Sequence, residues 1–223
     1  MPRSAWNALL ASAIVAVTLA ACTGQRPLHV VRANAEQAAR TGQWDVAEAD
    51  FAEYVGRRPD ATDVRFQLAK AQIAGGKPRQ AIEHLTVALD VSPLNDAYLD
   101  AQAQAMFAAN EREALTALLN RAAAERGRVA DYVRLGTYAA QLGNADEAQQ
   151  ALITAAKLDG GTTVRPQLAL ADFYGSMGAT DKQVRRLRMA YSIEPANDDL
   201  LKKIREVGEI PGPTFGIPPD DSR

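Results

Sequence analysis

Residues 41–59, TGQWDVAEADFAEYVGRRP, and residues 75–93, GGKPRQAIEHLTVALDVSP, are one pattern written twice. Residues 142–160, LGNADEAQQALITAAKLDG, write it a third time. Each copy carries a turn glycine and then runs into a helix. Inside the helix come a small residue, a large apolar residue four later, and a small or aromatic residue three beyond. Positions i, i+4 and i+7 share one helical face. The small residue lets a paired helix approach closely, and the large one fills the groove between hairpins. Gly42 and Gly76 are 34 residues apart, as are Ala47 and Ala81, Phe51 and Leu85, and Pro59 and Pro93. Four landmarks sharing one offset mark an internal repeat of helical hairpins.

This pattern resembles the tetratricopeptide repeat, whose period is 34 residues. Extending the frame gives five units, at 28–61, 62–95, 96–128, 129–163 and 164–197. First helices supply Leu68–Ala69, Leu135–Gly136 and Leu170–Ala171, similar to the family's Leu-Gly pair. Second helices place Phe51, Leu85, Leu119, Leu152 and Leu187 at the large position, with Ala47, Ala81 and Ala148 at the small one. Pro59, Pro93 and Pro195 stand just past second helices, where proline cannot continue the helix. The third unit departs from the pattern, with Leu115 at the small position and Asn110 at the turn glycine. The fifth places Gln183 at the small position. Residues 198–207 read as an amphipathic cap, with Leu200, Leu201, Ile204 and Val207 inward; solenoids need such a polar-backed end. The resemblance implies an all-α fold, a right-handed superhelical solenoid of hairpins over 28–207 with that capping helix. Residues 208–223, EIPGPTFGIPPDDSR after Gly208, are Pro/Gly-rich and expected to be a disordered tail. The alternative is an arm whose Ile210, Phe215 and Ile217 dock on a partner or on the solenoid itself.

The chain begins MPRSAWNALLASAIVAVTLAAC. Arg3 and the terminal amine precede an apolar run of signal-peptide length, too short for a membrane span of about 20 residues. Leu19, Ala20, Ala21 and Cys22 resemble the lipobox of bacterial lipoproteins. That resemblance implies removal of a signal peptide at 1–21, a lipid on Cys22, and a tether over 22–27 that holds the repeats within about 20 Å of the membrane. Each buried methylene contributes about 0.8 kcal/mol, so two or more acyl chains anchor stably. The alternative is an ordinary signal peptide that leaves a free thiol, a liability in an oxidising compartment. Thr23 stands where an aspartate marks inner-membrane retention in the enterobacterial version, which favours the periplasmic side of the outer membrane.

Composition narrows the function. Apolar residues make up 47% of the chain but aromatics only 6%, and the formal net charge is −2. Alanine-rich helices account for that balance, and no basic block marks a nucleic-acid surface. One cysteine and two histidines leave no metal-ligand spacing, and no phosphate loop or nucleophile motif is present, so neither an enzyme nor a cofactor is expected. The family's binding face is lined by first helices. Projected onto this chain, it takes in Arg32, Glu36, Arg40, Phe66, Lys70, Asp100, Gln104, Phe107, Arg134, Thr137, Gln141, Leu168 and Asp172. Polar, mixed in charge and set with apolar anchors, that face suits a peptide or helix from a protein partner. The expected role is a lipid-anchored adaptor in the cell envelope. Similar architectures serve pilus and secretion assembly, as in tight-adherence and type IV pilotin lipoproteins. Alternatives are a scaffold for peptidoglycan enzymes or outer-membrane protein assembly and, more remotely, an envelope enzyme or ligand carrier.

Overall fold

The computed structural model describes residues 25–220, so the expected signal peptide and the expected lipid site at Cys22 lie outside the described residues. Among the described residues every regular element is a helix. Two compact units divide the chain, one ending at Val91 and the other beginning at Ser92.

The first unit holds two hairpins, α1 (Leu28–Arg40) with α2 (Trp44–Arg57) and α3 (Thr62–Ala74) with α4 (Pro78–Val91). One turn geometry makes both. After α1 the Gln43 amide donates to the Ala38 carbonyl at 2.9 Å, and after α3 the Lys77 amide donates to that of Gln72 at 2.7 Å. This closure satisfies orphan carbonyls at the helix end but requires a left-handed residue just before the donor. Gly42 (φ 73°) and Gly76 (φ 77°) fill that place, which is why the glycines recur with the repeat. Ala47 and Ala81 are fully buried where α2 and α4 meet their partner helices, and Phe51 and Leu85 are buried four residues on. Burying each of the larger side chains contributes about 1.5–3 kcal/mol.

The second unit contains α5 (Asp96–Ala108), α6 (Arg112–Arg126), α7 (Val129–Gln141), α8 (Ala145–Asp159), α9 (Arg165–Ser176), α10 (Thr180–Ile193) and α11 (Asp198–Glu206). The same turn recurs after α5, where Asn110 adopts φ 59° in the place of glycine and Glu111 donates to Met106 at 2.9 Å. Asparagine is among the few non-glycine residues that visit this region readily. The α5–α6 hairpin is the loosest of the five, because buried Leu115 occupies the position where Ala148 allows α8 to close on α7. There Gly136 lies so near that an added Cβ would sit 2.5 Å from Leu152 Cγ. In the fifth hairpin Gln183 is tolerated at the small position because it faces Gly175, whose added Cβ would meet Gln183 Nε2 at 2.5 Å. Leu152 and Leu187 are buried in their hairpins, while Pro59, Pro93 and Pro195 are exposed just past α2, α4 and α10.

Asn95 and Asn197 begin α5 and α11. The Asn95 side chain accepts from the Ala97 and Tyr98 amides at 3.0 and 3.3 Å, and that of Asn197 accepts from Leu200 at 3.0 Å. Asp96 and Asp198 fall one residue later, in the first turn, where their charge complements the helix dipole. Leu200 and Ile204 of α11 are fully buried against the last hairpin. The segment after Gly208 corrects the expectation of a disordered tail. Its described part, through Asp220, returns to α10 with Phe215 only 8% exposed, because an aromatic ring and backbone hydrogen bonds hold it without regular structure.

Candidate functional site

The residues projected onto first helices meet different fates. In the first unit, Arg32 pairs with Glu36 at 2.8 Å and with Asp63 at 3.0 Å. Arg40 donates to Gln37 at 2.9 Å, and the Lys70 ammonium lies 5.6 Å from the Phe66 ring centroid. These side chains mostly satisfy one another along α1 and α3. Exposed ion pairs of this kind are worth about 0–1 kcal/mol and leave the groups free to exchange partners.

In the second unit, Gln104 is exposed, and Phe107, 41% exposed, meets Tyr138 with ring centroids 5.7 Å apart. Burial pushes the Tyr138 phenol up, and the Asp100 carboxylate adds to the shift. Arg134 corrects the sequence reading. Instead of facing a ligand, it is buried in an ionic cluster between α5, the end of α6 and α7. The carboxylate of Asp131, fully buried, accepts from Arg134 Nη1 at 2.8 Å and Arg128 Nε at 3.1 Å, and Arg126 Nη2 lies 3.3 Å away. Asp96 pairs with Arg126 and Arg128, and Arg134 Nε donates to Asp100. Burial alone would weaken the Arg134 charge, but the hydrogen bond to Asp100 and the nearby carboxylates outweigh it and hold its pKa above the ordinary value. Three guanidiniums thus meet three carboxylates. Only the i,i+3 pairs Arg128–Asp131 and Asp131–Arg134 could have signalled the cluster in sequence, since Asp96 and Asp100 come from another helix.

Gln141 and Asp172 do come together, with Thr137 and Leu168, around a cavity of ≈ 580 Å³ between α7 and α9. Helical spacing builds it. Val133, Thr137, Ala140 and Gln141 recur on one face of α7, and Arg165, Leu168, Ala169, Asp172, Phe173 and Ser176 on one face of α9. Leu152 of α8 lies beneath, at the point where Gly136 admits it. The turn before α9 is held by Asp159, whose carboxylate accepts from the Thr163 amide at 2.8 Å and the Thr163 hydroxyl at 2.6 Å. That turn delivers Val164 and Arg165 to the cavity edge. The lining hydroxyls are already engaged, Thr137 donating to the Val133 carbonyl at 2.8 Å and Ser176 to that of Phe173 at 2.7 Å. Asp172 pairs with Lys203 of α11. Gln141 and Arg165 have no side-chain hydrogen bond or ion pair among the described residues. The result is an apolar trough with one amide and one guanidinium available at its rim. It can seat a bulky apolar side chain and hydrogen-bond the chain that carries it.

Among the described residues no three metal-ligating side chains gather, and no described helix is long and apolar enough to cross a membrane.

Comparison with known proteins agrees with this architecture. Residues 38–105 match the family model described as tetratricopeptide repeat. No curated protein matches the chain. Among solved structures, a thermophilic tetratricopeptide-repeat protein of Thermus thermophilus aligns with a TM-score of 0.57 at 21% identity, covering 81% of this chain and 98% of that one. A tetratricopeptide repeat protein of Parabacteroides merdae aligns with a TM-score of 0.59 at 19% identity, over 81% of this chain and 72% of its own. MamA of Desulfovibrio magneticus RS-1, from residue 41 onward, gives 0.56 at 14% identity, over 77% and 97%. Residues 38–105 match the tetratricopeptide repeat by sequence, and about four-fifths of the chain shares its fold with solved tetratricopeptide-repeat proteins.

Proposed function

We propose that this protein is a non-catalytic, lipid-anchored adaptor of the cell envelope that holds a segment of another protein in the groove between α7 and α9. Tetratricopeptide repeats serve as scaffolds for protein–protein interaction, and the groove is where this chain offers unused binding capacity. The observation that carries the reading is the apolar trough of ≈ 580 Å³ with Gln141 and Arg165 uncommitted at its edge. The partner segment brings a large apolar side chain for the Leu152–Leu168–Phe173 region, backbone carbonyls for Gln141, and an acidic group for Arg165. The anchor is a lipid on Cys22, on the periplasmic side of the outer membrane; the lipobox at residues 19–22 supports it. Within the envelope, the process we put forward is assembly of a pilus or secretion channel.

Full-length protein recovered from detergent-solubilised envelopes tests both halves. The wild type is expected to co-purify a secretin-type channel, and Ala169→Trp, which fills the trough, is expected to lose it while keeping its helical circular dichroism. Equal recovery by the two proteins contradicts the groove. Recovery of a wall hydrolase instead of a channel overturns pilus assembly and points to scaffolding of peptidoglycan enzymes. Cys22→Ala is expected to abolish fatty-acid labelling and release the protein from membranes; persistent membrane association refutes the anchor.

A further inference from the structure

The segment beyond Gly208 lies on α10 in the manner of a ligand on its receptor. Phe215 enters the cluster formed by Leu187, Ala190, Leu200 and Ile204, and its ring meets Tyr191 edge-on, with centroids 5.5 Å apart and planes at 87°. The Arg188 guanidinium stands 5.8 Å over the same ring, and its Nε donates to the Phe215 carbonyl at 2.8 Å. Two residues on, the Ile217 amide donates to the Arg188 carbonyl at 3.2 Å. Asp220 then pairs with Arg185 one turn earlier on α10. The connection is bare by comparison, for Ile210 is 85% exposed. Arg188 therefore contacts both backbone polarities of the tail and its aromatic side chain, which follows the turn that the Phe215 amide closes on the Gly212 carbonyl at 2.9 Å, while Arg185 takes a carboxylate farther along. Aromatic insertion combined with backbone pairing is how peptide-recognition surfaces obtain affinity and register.

We propose that this face of α10 is a second peptide-binding site, separate from the α7–α9 groove and blocked in the resting protein by the chain's own tail. Its ligand is a protein segment with an aromatic residue at the end of a turn, a free backbone amide two residues later and a carboxylate five residues later. The tail shows that chemistry in Phe215, Ile217 and Asp220. A short tether holds the tail at an effective concentration on the order of millimolar, so a partner segment must bind more tightly or be presented at high density to displace it. The site thus answers to a concentrated or high-affinity partner and stays silent otherwise.

A fluorescent peptide of residues 209–223 is the probe. Against the wild-type chain it is expected to bind weakly. Against full-length Phe215→Ala/Asp220→Ala, whose tail is released, affinity rises about tenfold or more. Adding Arg188→Ala to that variant, or replacing the phenylalanine of the peptide by alanine, abolishes the gain. Because loss of Phe215 could loosen α11, hydrogen exchange on the wild-type chain provides the second measurement. The Ile217 amide is protected, and excess peptide lifts that protection while the α10 amides stay protected. Failure of the folded double variant to bind the peptide, or an unprotected Ile217 amide in the wild type, overturns the proposal. Neither readout depends on the α7–α9 groove.

Discussion

Replacing Gly136 by alanine isolates the contact on which the fourth hairpin and the groove floor depend. The new Cβ would lie 2.5 Å from Leu152 Cγ, 2.8 Å from its Cδ2 and 3.0 Å from the Ala148 carbonyl oxygen. Since Cγ is not the mobile end of the side chain, Leu152 must change rotamer or α8 must move away. Overpacking of this kind costs about 1–3 kcal/mol, while alanine in place of a helical glycine returns about 1 kcal/mol. The net expectation for Gly136→Ala is destabilisation by about 1 kcal/mol. Leu152→Ala alone opens a void in a core where Leu152 is 1% exposed, and costs about 2–5 kcal/mol. In the double variant the added methyl enters the space that Leu152 vacates, so the effects should fall short of their sum by about 1 kcal/mol. The shortfall is incomplete because the Ala148 carbonyl remains in the way. Urea titration followed by far-UV circular dichroism is the assay, since Trp44, the one tryptophan among the described residues, belongs to the other unit. Additivity within about 0.3 kcal/mol would refute the close approach of α7 and α8.

Other perturbations separate the remaining parts of the account. Arg134→Ala leaves Asp131 buried with Arg126 and Arg128 still in place, so the expected loss is about 3 kcal/mol, the low end for breaking a buried pair; a change below about 1 kcal/mol contradicts the reading of Arg134 as buried framework. His84 is half-buried on α4, with Arg65 Nη1 at 3.4 Å from its Nδ1. Burial first, and then the Arg65 charge, lowers its pKa below the ordinary 6.5. Between the folded and unfolded values the unfolded chain binds more protons, so first-unit stability is greatest above about 6.5 and falls as pH drops through the folded value. Urea midpoints read by Trp44 fluorescence should show that decline, and His84→Gln should flatten it; an unchanged slope removes His84 as its source.

The hairpin fold was legible because its demands are local and periodic. A left-handed residue must close each turn, so Gly42 and Gly76 recur at the repeat distance, and Asn110 is a chemically intelligible exception. Small residues such as Ala47 and Ala148 recur because two helices cannot otherwise approach. The site was less legible, since the frame says which side chains point from first helices but not which are already engaged. Arg134 shares a helix face with Thr137 and Gln141, yet Asp96 and Asp100 on α5 draw it into the interior. The tail was opaque for a different reason. Its prolines and glycines exclude helix and say nothing about Phe215 meeting Tyr191 and Arg188, a contact with no periodicity to announce it.

In the function proposed above, a partner's segment lies between α7 and α9. A photo-crosslinking residue placed at Thr137, exposed on the groove side of α7, tests this directly in the full-length protein within native membranes. The control position is Gln150, exposed on α8 and outside the cavity lining. A discrete crosslinked partner is expected from position 137 that disappears with Ala169→Trp, and none from position 150. The same partner captured from position 150 but not from position 137 would contradict it.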